Sequence, residues 1–207
     1  MNPGTPYNLL LPRSQDFVSL GLVLGYRYPN PLDRIGLLAC MQLLWDRLEP
    51  AGYLHAISRD PLPNTPSHRI LIHYGLGDAQ VSWMGGQQIG RGTGAVMYEG
   101  NVAEGNITID GFPFVPVDAV LTEGNLIMGW DFGEPLVPFV NIPPSKKYDT
   151  HEFTRRTPSA QAQMAEFFIT GSVSNTCGGP CHAKPPMDGE VKPAREYGRL
   201  PDKVLPL

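Results

Sequence analysis

Two residues, Asp78 and His151, have the types and the chain order that acid–base chemistry needs. Asp78 follows the apolar stretch RILIHY and a small-residue turn, so it lies where a buried strand is expected to end. In open α/β sheets, catalytic groups gather at the carboxyl ends of strands. An acid there, followed much later by a histidine, is the back half of a Ser…Asp…His order. The pair predicts an imidazole base held and polarised by a carboxylate.

Each member of the pair also has a purely structural explanation. Aspartate is a preferred helix-capping residue, so Asp78 is equally suited to cap a helix over 81–91. His151 stands between the acids Asp149 and Glu152 and close to two arginines, which is typical of a surface ion-pair residue. The residue types alone leave both explanations open.

A serine nucleophile is the missing member of this order. It should occupy a sharp strand-to-helix turn of the G-x-S-x-G type. Every serine lacks the flanking glycines after a buried strand; these are Ser14, Ser19, Ser58, Ser67, Ser82, Ser145, Ser159, Ser172 and Ser174. Cys40 falls in the middle of a predicted helix, where a small buried hydrophobe is the simplest interpretation. We therefore expect this stretch of chain to lack its own nucleophile.

The segment Cys177-Gly-Gly-Pro-Cys181-His182 is a second cluster of reactive side chains. The two thiols can form a disulfide if the protein is exported, and a paired Cys177–Cys181 would indicate an exported or periplasmic protein. Free thiols are the second alternative. Metal binding with His182 is the third, but it offers three ligands without a second cluster of the usual spacing. We expect no metal site and no cofactor.

Length and composition narrow the class of protein. The 207 residues are 42% hydrophobic and 17% charged, which is globular and sufficient for one domain with a real core. The net charge of −4 gives no reason to expect a nucleic-acid partner. An apolar run of about 18 residues, as a membrane span needs, is absent from the sequence. The 23 glycines and 22 prolines predict many loops.

Alternating strands and helices must position the candidate residues. Capping residues and apolar spacing predict helices over 30–49, 53–58, 81–91 and 158–170. The longest, 30–49, carries apolar residues around much of its circumference and is expected to be buried on more than one side. Apolar runs predict strands over 69–74, 95–98 and 120–132. Loops are expected over 1–29, 100–118 and 133–150. This alternation predicts an α/β fold with a largely parallel sheet and flanking helices.

Several segments carry a family resemblance: PGTPYNLLLPRSQDF, LIHYGLGDAQV, LTEGNLIMGWDFG, DTHE and NTCGGPC. Together they resemble the C-terminal half of an α/β-hydrolase-like family of bacterial esterase or lipase relatives. The resemblance implies a partial hydrolase-type domain over 1–174 and a Cys-containing, Pro-rich tail over 175–207. It implies that Asp78 is the triad acid and His151 the triad base, with the serine turn upstream of Met1.

Two functional hypotheses follow. In the first, the chain is the C-terminal portion of a serine ester hydrolase, inactive alone, whose partners are a small-molecule or lipid ester and an N-terminal half of the same domain. In the second, it is a hydrolase-derived binding or interaction module without catalysis. A sheet cut on one side would expose an apolar edge, which invites association.

Overall fold

The computed structural model describes residues 5–102, 111–134, 141–144 and 149–183. Seven α-helices occur in these ranges: α1 (Tyr7–Arg13), α2 (Val18–Arg27), α3 (Pro31–Trp45), α4 (Leu54–Ser58), α5 (Trp83–Thr93), α6 (Phe153–Arg156) and α7 (Pro158–Thr170). The strands there are β1 (Leu71–Gly75), β2 (Met97–Tyr98), β3 (Phe114–Val115) and β4 (Leu126–Trp130). Short 3-10 turns cover Gln15–Phe17 and Pro50–Tyr53. The tail beyond Ala183 and parts of the 100–118 and 133–150 loops lie outside the described residues.

The centre of the fold is a parallel pair of strands, β1 and β4, in register from Leu71 opposite Leu126 to Gly75 opposite Trp130. A second parallel pair joins β2 to β3, and Val96 bridges to Leu126. Both central strands are nearly continuous apolar runs, which is typical of strands with both faces covered. The predicted α/β class with a parallel sheet is therefore confirmed, although the sheet in the described residues is small.

Helices cover both faces of the central strands. One core cluster includes Ile72 and Tyr74 of β1 together with Trp83 and Ile89 of α5. The other joins Met128 and Trp130 of β4 to residues from α7, the disulfide segment and β2. Side chains alternate between the two clusters along each strand, as the two-residue period of a strand requires.

The glycines of α5 allow close packing against neighbouring elements. A Cβ on Gly85 would clash with the side chain of Thr5, and one on Gly92 would lie 2.5 Å from a methyl group of Leu54. A Cβ on Gly90 would approach Ile127 of β4 to 2.8 Å. These contacts bring α5 close to the sheet and to the N-terminal segment, at the cost of helix propensity.

Two predicted helices occur close to their predicted bounds, and one of them has the side-chain cap that its sequence offers. The side chain of Asn30 accepts a hydrogen bond from the N–H of Leu32 at 3.0 Å, and Pro31 occupies the first helical position. Helix α7 runs from Pro158 to Thr170 and ends at Gly171, whose φ is 71°. Thr157 precedes α7 but does not cap it, because its hydroxyl donates instead to the carbonyl of Phe153.

The expectation that residues 1–29 form a loop was wrong. After Pro6, the chain forms α1, a 3-10 turn and α2. The carbonyl of Pro6 accepts from the N–H groups of Leu9 and Leu10, which starts α1. Pro12 lies inside α1 and removes one backbone hydrogen bond from this short helix, which ends one residue later.

The burial predicted for the long helix was also wrong. The buried residues of α3 are Leu38 and Gln42, and Cys40 is exposed rather than buried. Helices α2 and α3 together present an exposed apolar surface, here called the outer helical face, which consists of Leu22, Val23, Tyr26, Leu32, Ile35, Leu43 and Leu44. The spacing of apolar residues predicts which face of a helix is apolar. Whether that face is buried depends on the elements that pack against it. No helix in the described ranges is long and apolar enough to cross a membrane.

Candidate active site

Asp78 lies in the turn that follows β1. The strand ends at Gly75, Leu76 continues the pairing by donating to the carbonyl of Trp130, and Gly77 has a φ of 84°. One oxygen of Asp78, Oδ1, accepts from the N–H groups of Gln80 at 2.9 Å and Val81 at 2.7 Å. Asp78 therefore orders its own turn, and its second oxygen remains available.

Asp78 is not the cap of the helix that follows. Helix α5 begins at Trp83, and the hydroxyl of Ser82 accepts from the N–H of Met84 at 3.4 Å. The hypothesis that Asp78 caps this helix is therefore wrong. Asp78 instead stabilises its own turn with one of its two carboxylate oxygens.

The loop before α6 delivers His151 to the same place. Asp149 accepts from the N–H of Ala79 and the side chain of Gln80, both at 2.9 Å, and from the N–H of His151 at 3.1 Å. Thr150 is fully buried and donates to the carbonyl of Leu76 at 2.8 Å. These bonds attach the 149–151 loop to the Asp78 turn and fix the direction of the imidazole.

Asp78 and His151 are in hydrogen-bond contact. The Nδ1 atom of His151 lies 3.0 Å from Oδ2 of Asp78, and the side chains are 19% and 8% exposed. Since a carboxylate can only accept, Nδ1 carries the proton, and in the neutral ring Nε2 has the free lone pair. The hydrogen bond to Asp78 raises the pKa of His151 above its usual value, although burial and Arg155 oppose this shift.

Arg155 is the neighbour of the second ring nitrogen. Its Nη2 lies 3.4 Å from Nε2 of His151 and 3.2 Å from a carboxylate oxygen of Glu152. Glu152 also pairs with Arg156 at 3.7 Å. The predicted surface ion pairs thus form between Glu152 and the two arginines, whereas His151 pairs with Asp78. The sequence indicated Arg155 as a charged neighbour but not its position at Nε2.

Among the residues that the structure describes, no serine contacts this pair. In the ranges that the structure describes, no serine hydroxyl lies within hydrogen-bonding distance of the His151 ring. Ser14 is near in space, since the adjacent Gln15 donates to the carbonyl of Ala79 at 2.8 Å. Ser14 is nevertheless fully buried, and its hydroxyl accepts from the N–H of Asp16. Ser145 lies outside the described residues.

The Cys177–Cys181 pair is a disulfide, with a Cα–Cα distance of 5.2 Å. Oxidation of both thiols removes the metal-binding alternative with His182, and no group of three potential metal ligands occurs among the described residues. Instead, Nδ1 of His182 lies 3.2 Å from Oδ2 of Asp131. This second Asp–His pair was missed. The signal for it is that Asp131 directly follows β4, much as Asp78 follows β1.

The remaining candidates have structural roles. His73 is buried, and its Nε2 lies 2.7 Å from Oε1 of Gln163; burial lowers the pKa of His73 to about 4. Trp83 and Trp130 are core residues. His55 and His68 are exposed.

Comparison with known proteins finds no matching family, no similar curated protein and no similar solved structure. The Asp78–His151 geometry is thus the main basis for assigning a function.

Proposed function

We propose that this chain carries the acid and the base of a serine ester hydrolase of the α/β-hydrolase type. The observation that supports the proposal is the 3.0 Å contact between Nδ1 of His151 and Oδ2 of Asp78. Asp78 follows β1, and His151 follows the neighbouring parallel strand β4 in the chain. Both residues lie on the side of the sheet where these strands have their carboxyl ends. That order and placement are those of the acid and base of a hydrolytic triad.

His151 would act through Nε2. In acyl transfer, Nε2 takes the proton of a serine hydroxyl as the serine oxygen attacks the ester carbonyl. The proton then passes from Nε2 to the leaving alcohol. Asp78 keeps the ring in the tautomer with Nδ1–H and stabilises the imidazolium during this step. Arg155 must withdraw from Nε2 for the serine to approach, because its Nη2 now occupies the hydrogen-bonding direction.

The nucleophile in this proposal comes from polypeptide other than the described residues. We therefore expect the 207-residue chain alone to hydrolyse no activated ester measurably above the His151→Ala variant, and to take up no fluorophosphonate on serine. Labelling of one serine in the isolated chain, located by peptide mass spectrometry, would contradict this part of the proposal.

The positive test uses the coding sequence immediately upstream of the Met1 codon. An in-frame continuation that encodes a strand and a G-x-S-x-G turn should yield a longer protein that hydrolyses p-nitrophenyl butyrate. In that protein, His151→Ala should lower kcat by on the order of a thousandfold or more, because loss of a triad member leaves only weak catalysis. His68→Ala is the matched control, since His68 is an exposed histidine that precedes β1, at the opposite end of this strand from Asp78. A longer protein that is active and insensitive to His151→Ala would refute the assignment.

A second candidate function is a non-catalytic binding module. Two observations favour it: Arg155 occupies the Nε2 position, and the outer helical face exposes large apolar side chains. Exposed apolar surface is found at interaction sites of soluble proteins when it forms a large patch. A chain without an in-frame continuation, together with a soluble product that melts cooperatively, would favour the binding module over the hydrolase.

A further inference from the structure

Helix α3 has one covered side and one exposed side. On the covered side, the side chain of Gln42 accepts from the N–H of Asn8 at 2.9 Å, and the ring of Trp45 contacts that of Tyr7 in α1. Neither core cluster of the sheet contains a residue of α3. The exposed side of α3 is therefore not a continuation of the core that covers the sheet.

The exposed side of α3 is a continuous row of apolar and small residues. Residues three and four positions apart share a face of a helix. By this spacing the exposed residues form one row, here called the α3 stripe, which consists of Leu32, Ile35, Gly36, Cys40, Leu43 and Leu44. The leucines of this row are 68–74% exposed. An apolar row of this kind on a helix is suited to pack against another helix.

The α3 stripe is complementary to itself in shape. Gly36 and Leu44 lie one turn on either side of Cys40. A second α3 packed antiparallel, with Cys40 at the two-fold axis, would therefore place its Leu44 over Gly36 of the first copy. A glycine inside a helix weakens the helix. A Cβ on Gly36 would meet nothing within 4 Å, so packing within the chain does not require a glycine there, whereas Leu44 of a second copy would.

The charges beside the stripe have the same symmetry. Asp33 and Arg47 are both exposed and lie about two turns on either side of Cys40. Arg47 follows α3, but the N–H groups of Asp46 and Glu49 still donate four residues back, so the helical path continues. In the antiparallel pair, Asp33 of each copy would face Arg47 of the other. A two-fold interface requires such self-complementarity, whereas covering by a different segment does not.

The size of the stripe fits a reversible dimer. A fully exposed aliphatic side chain contributes roughly 100 Å² of apolar surface. With the stems of the flanking charged side chains, the large apolar residues of two copies would bury on the order of 1,000 Å² in total. Interfaces of this size are typical of weak, reversible association rather than of permanent dimers.

We propose that the exposed side of α3 is the interface of a reversible homodimer, in which two α3 helices pack antiparallel with Cys40 at the two-fold axis. Packed helix axes are about 8–10 Å apart, and Cα atoms lie about 2.3 Å from each axis. The two facing Cα atoms of Cys40 would then be about 3.5–5.5 Å apart, which overlaps the range of a disulfide. The proposal is independent of ester hydrolysis, because it depends on α3 alone.

Sedimentation equilibrium of the 207-residue chain tests the proposal through its charges. Wild type should show a monomer–dimer equilibrium between about 1 and 500 µM. Asp33→Arg alone, or Arg47→Asp alone, sets like charges opposite each other twice and should raise the dimer Kd by about tenfold at low salt. The double variant Asp33→Arg/Arg47→Asp restores opposite charges, so its Kd should return to within about threefold of wild type.

Gly36→Leu is a variant whose effect misfolding cannot imitate. Leucine is the better helix former, so the melting temperature measured at monomeric concentrations should rise. The added side chain should nevertheless raise the dimer Kd by about tenfold or more, because it fills the space for Leu44 of the second copy.

Oxidative cross-linking tests the position of the two-fold axis. Cys177 and Cys181 are bonded to each other, so Cys40 is the one remaining thiol of the three cysteines. Copper–phenanthroline in air should join two copies through Cys40, as mapped by peptide mass spectrometry. The matched control is Cys40→Ala/Asp60→Cys, which moves the thiol to an exposed turn after α4 and should cross-link far less.

Four results would overturn the proposal. The first is a chain that stays monomeric over the whole concentration range. The second is a dimer whose Kd the single charge reversals leave unchanged or the double reversal fails to restore. The third is equal cross-linking through Asp60→Cys and Cys40. The fourth is a longer protein, encoded by an in-frame continuation upstream of Met1, that is monomeric and shields Cys40 from maleimide, since its own added segment would then cover α3.

Discussion

Replacement of Asp78 by asparagine separates the two tasks of this carboxylate. Asparagine keeps an oxygen for the N–H groups of Gln80 and Val81 but presents an amide N–H toward His151. Two donors would then face each other, so the neutral ring must move its proton from Nδ1 to Nε2. Nε2 would no longer be a base. Asp78→Ala, in contrast, removes the turn bonds as well as the contact with His151.

The hydrogen bonds of Asp78 set the expected change in the free energy of unfolding for the two variants. Each backbone bond to Asp78 contributes about 1 kcal/mol, and a hydrogen bond to a charged group contributes about 1.5–3 kcal/mol. The lower end applies because the His151 side chain is 19% exposed. Asp78→Ala should therefore lower the free energy of unfolding by about 3–4 kcal/mol. Asp78→Asn, which retains the turn and a neutral contact, should lower it by about 1 kcal/mol.

The effect of Asp78→Asn should depend on pH with a definite sign. Because Asp78 raises the pKa of His151 above 6.5, the protonated ring favours the folded state. This stabilisation is fully present below pH 6.5 and is lost as the pH rises through the raised pKa. Urea unfolding followed by tryptophan fluorescence should thus show a larger cost at pH 5.5 than at pH 9. Equal costs for Asp78→Asn and Asp78→Ala, or a larger cost at pH 9, would refute the reasoning.

Three further predictions concern other parts of the fold. Burial lowers the pKa of His73 from 6.5 to about 4, so the unfolded chain binds a proton on His73 at a higher pH than the folded chain does. The free energy of unfolding of the wild type should therefore fall by about 3 kcal/mol between pH 6.5 and 4. Urea unfolding at several pH values should show this fall in the wild type but not in His73→Gln. Reduction of Cys177–Cys181, which closes a short loop, should cost about 2 kcal/mol, measured as a lower melting temperature in a phosphine reductant, and the Cys177→Ser variant should show no further shift. Leu43→Gln, on the outer helical face, should change the free energy of unfolding by less than about 0.5 kcal/mol and should reduce the binding of a hydrophobic dye. Leu38→Ala, at a buried position of the same helix, should lower the free energy of unfolding in urea by about 2–4 kcal/mol.

Local signals in the sequence predicted most elements that flank the site. Asn30 and Pro31 marked the start of α3, and Gly171 marked the end of α7, because capping depends on a few adjacent residues. The apolar run before Asp78 predicted β1. Helix α1 was missed because Pro3-Gly4-Thr5-Pro6 is typical of turns and Pro12 was interpreted as the end of a short apolar run. The exposure of α3 was missed because burial depends on what packs against a helix.

The site was predicted in part. Chain order brought Asp78 and His151 into the same hypothesis, and the structure places them in contact. The function of that contact stays a prediction. Asp149 was noted only as an acid near His151, although an aspartate two residues before it is suited to accept its N–H. The position of Arg155 at Nε2 depends on the fold of the 149–156 segment and had no local signal.

In the proposed mechanism, Asp78 holds His151 with its proton on Nδ1, so that Nε2 is the base. The most direct measurement is a long-range ¹H–¹⁵N correlation spectrum of the histidine rings, recorded above the pKa of His151 in wild type, Asp78→Asn and Arg155→Ala. We predict the Nδ1–H tautomer in wild type and in Arg155→Ala, and the Nε2–H tautomer in Asp78→Asn. Titration should give a lower His151 pKa in Asp78→Asn and a higher one in Arg155→Ala, because Arg155 opposes protonation. A wild-type ring with its proton on Nε2, or a His151 pKa that neither variant moves, would contradict the claim.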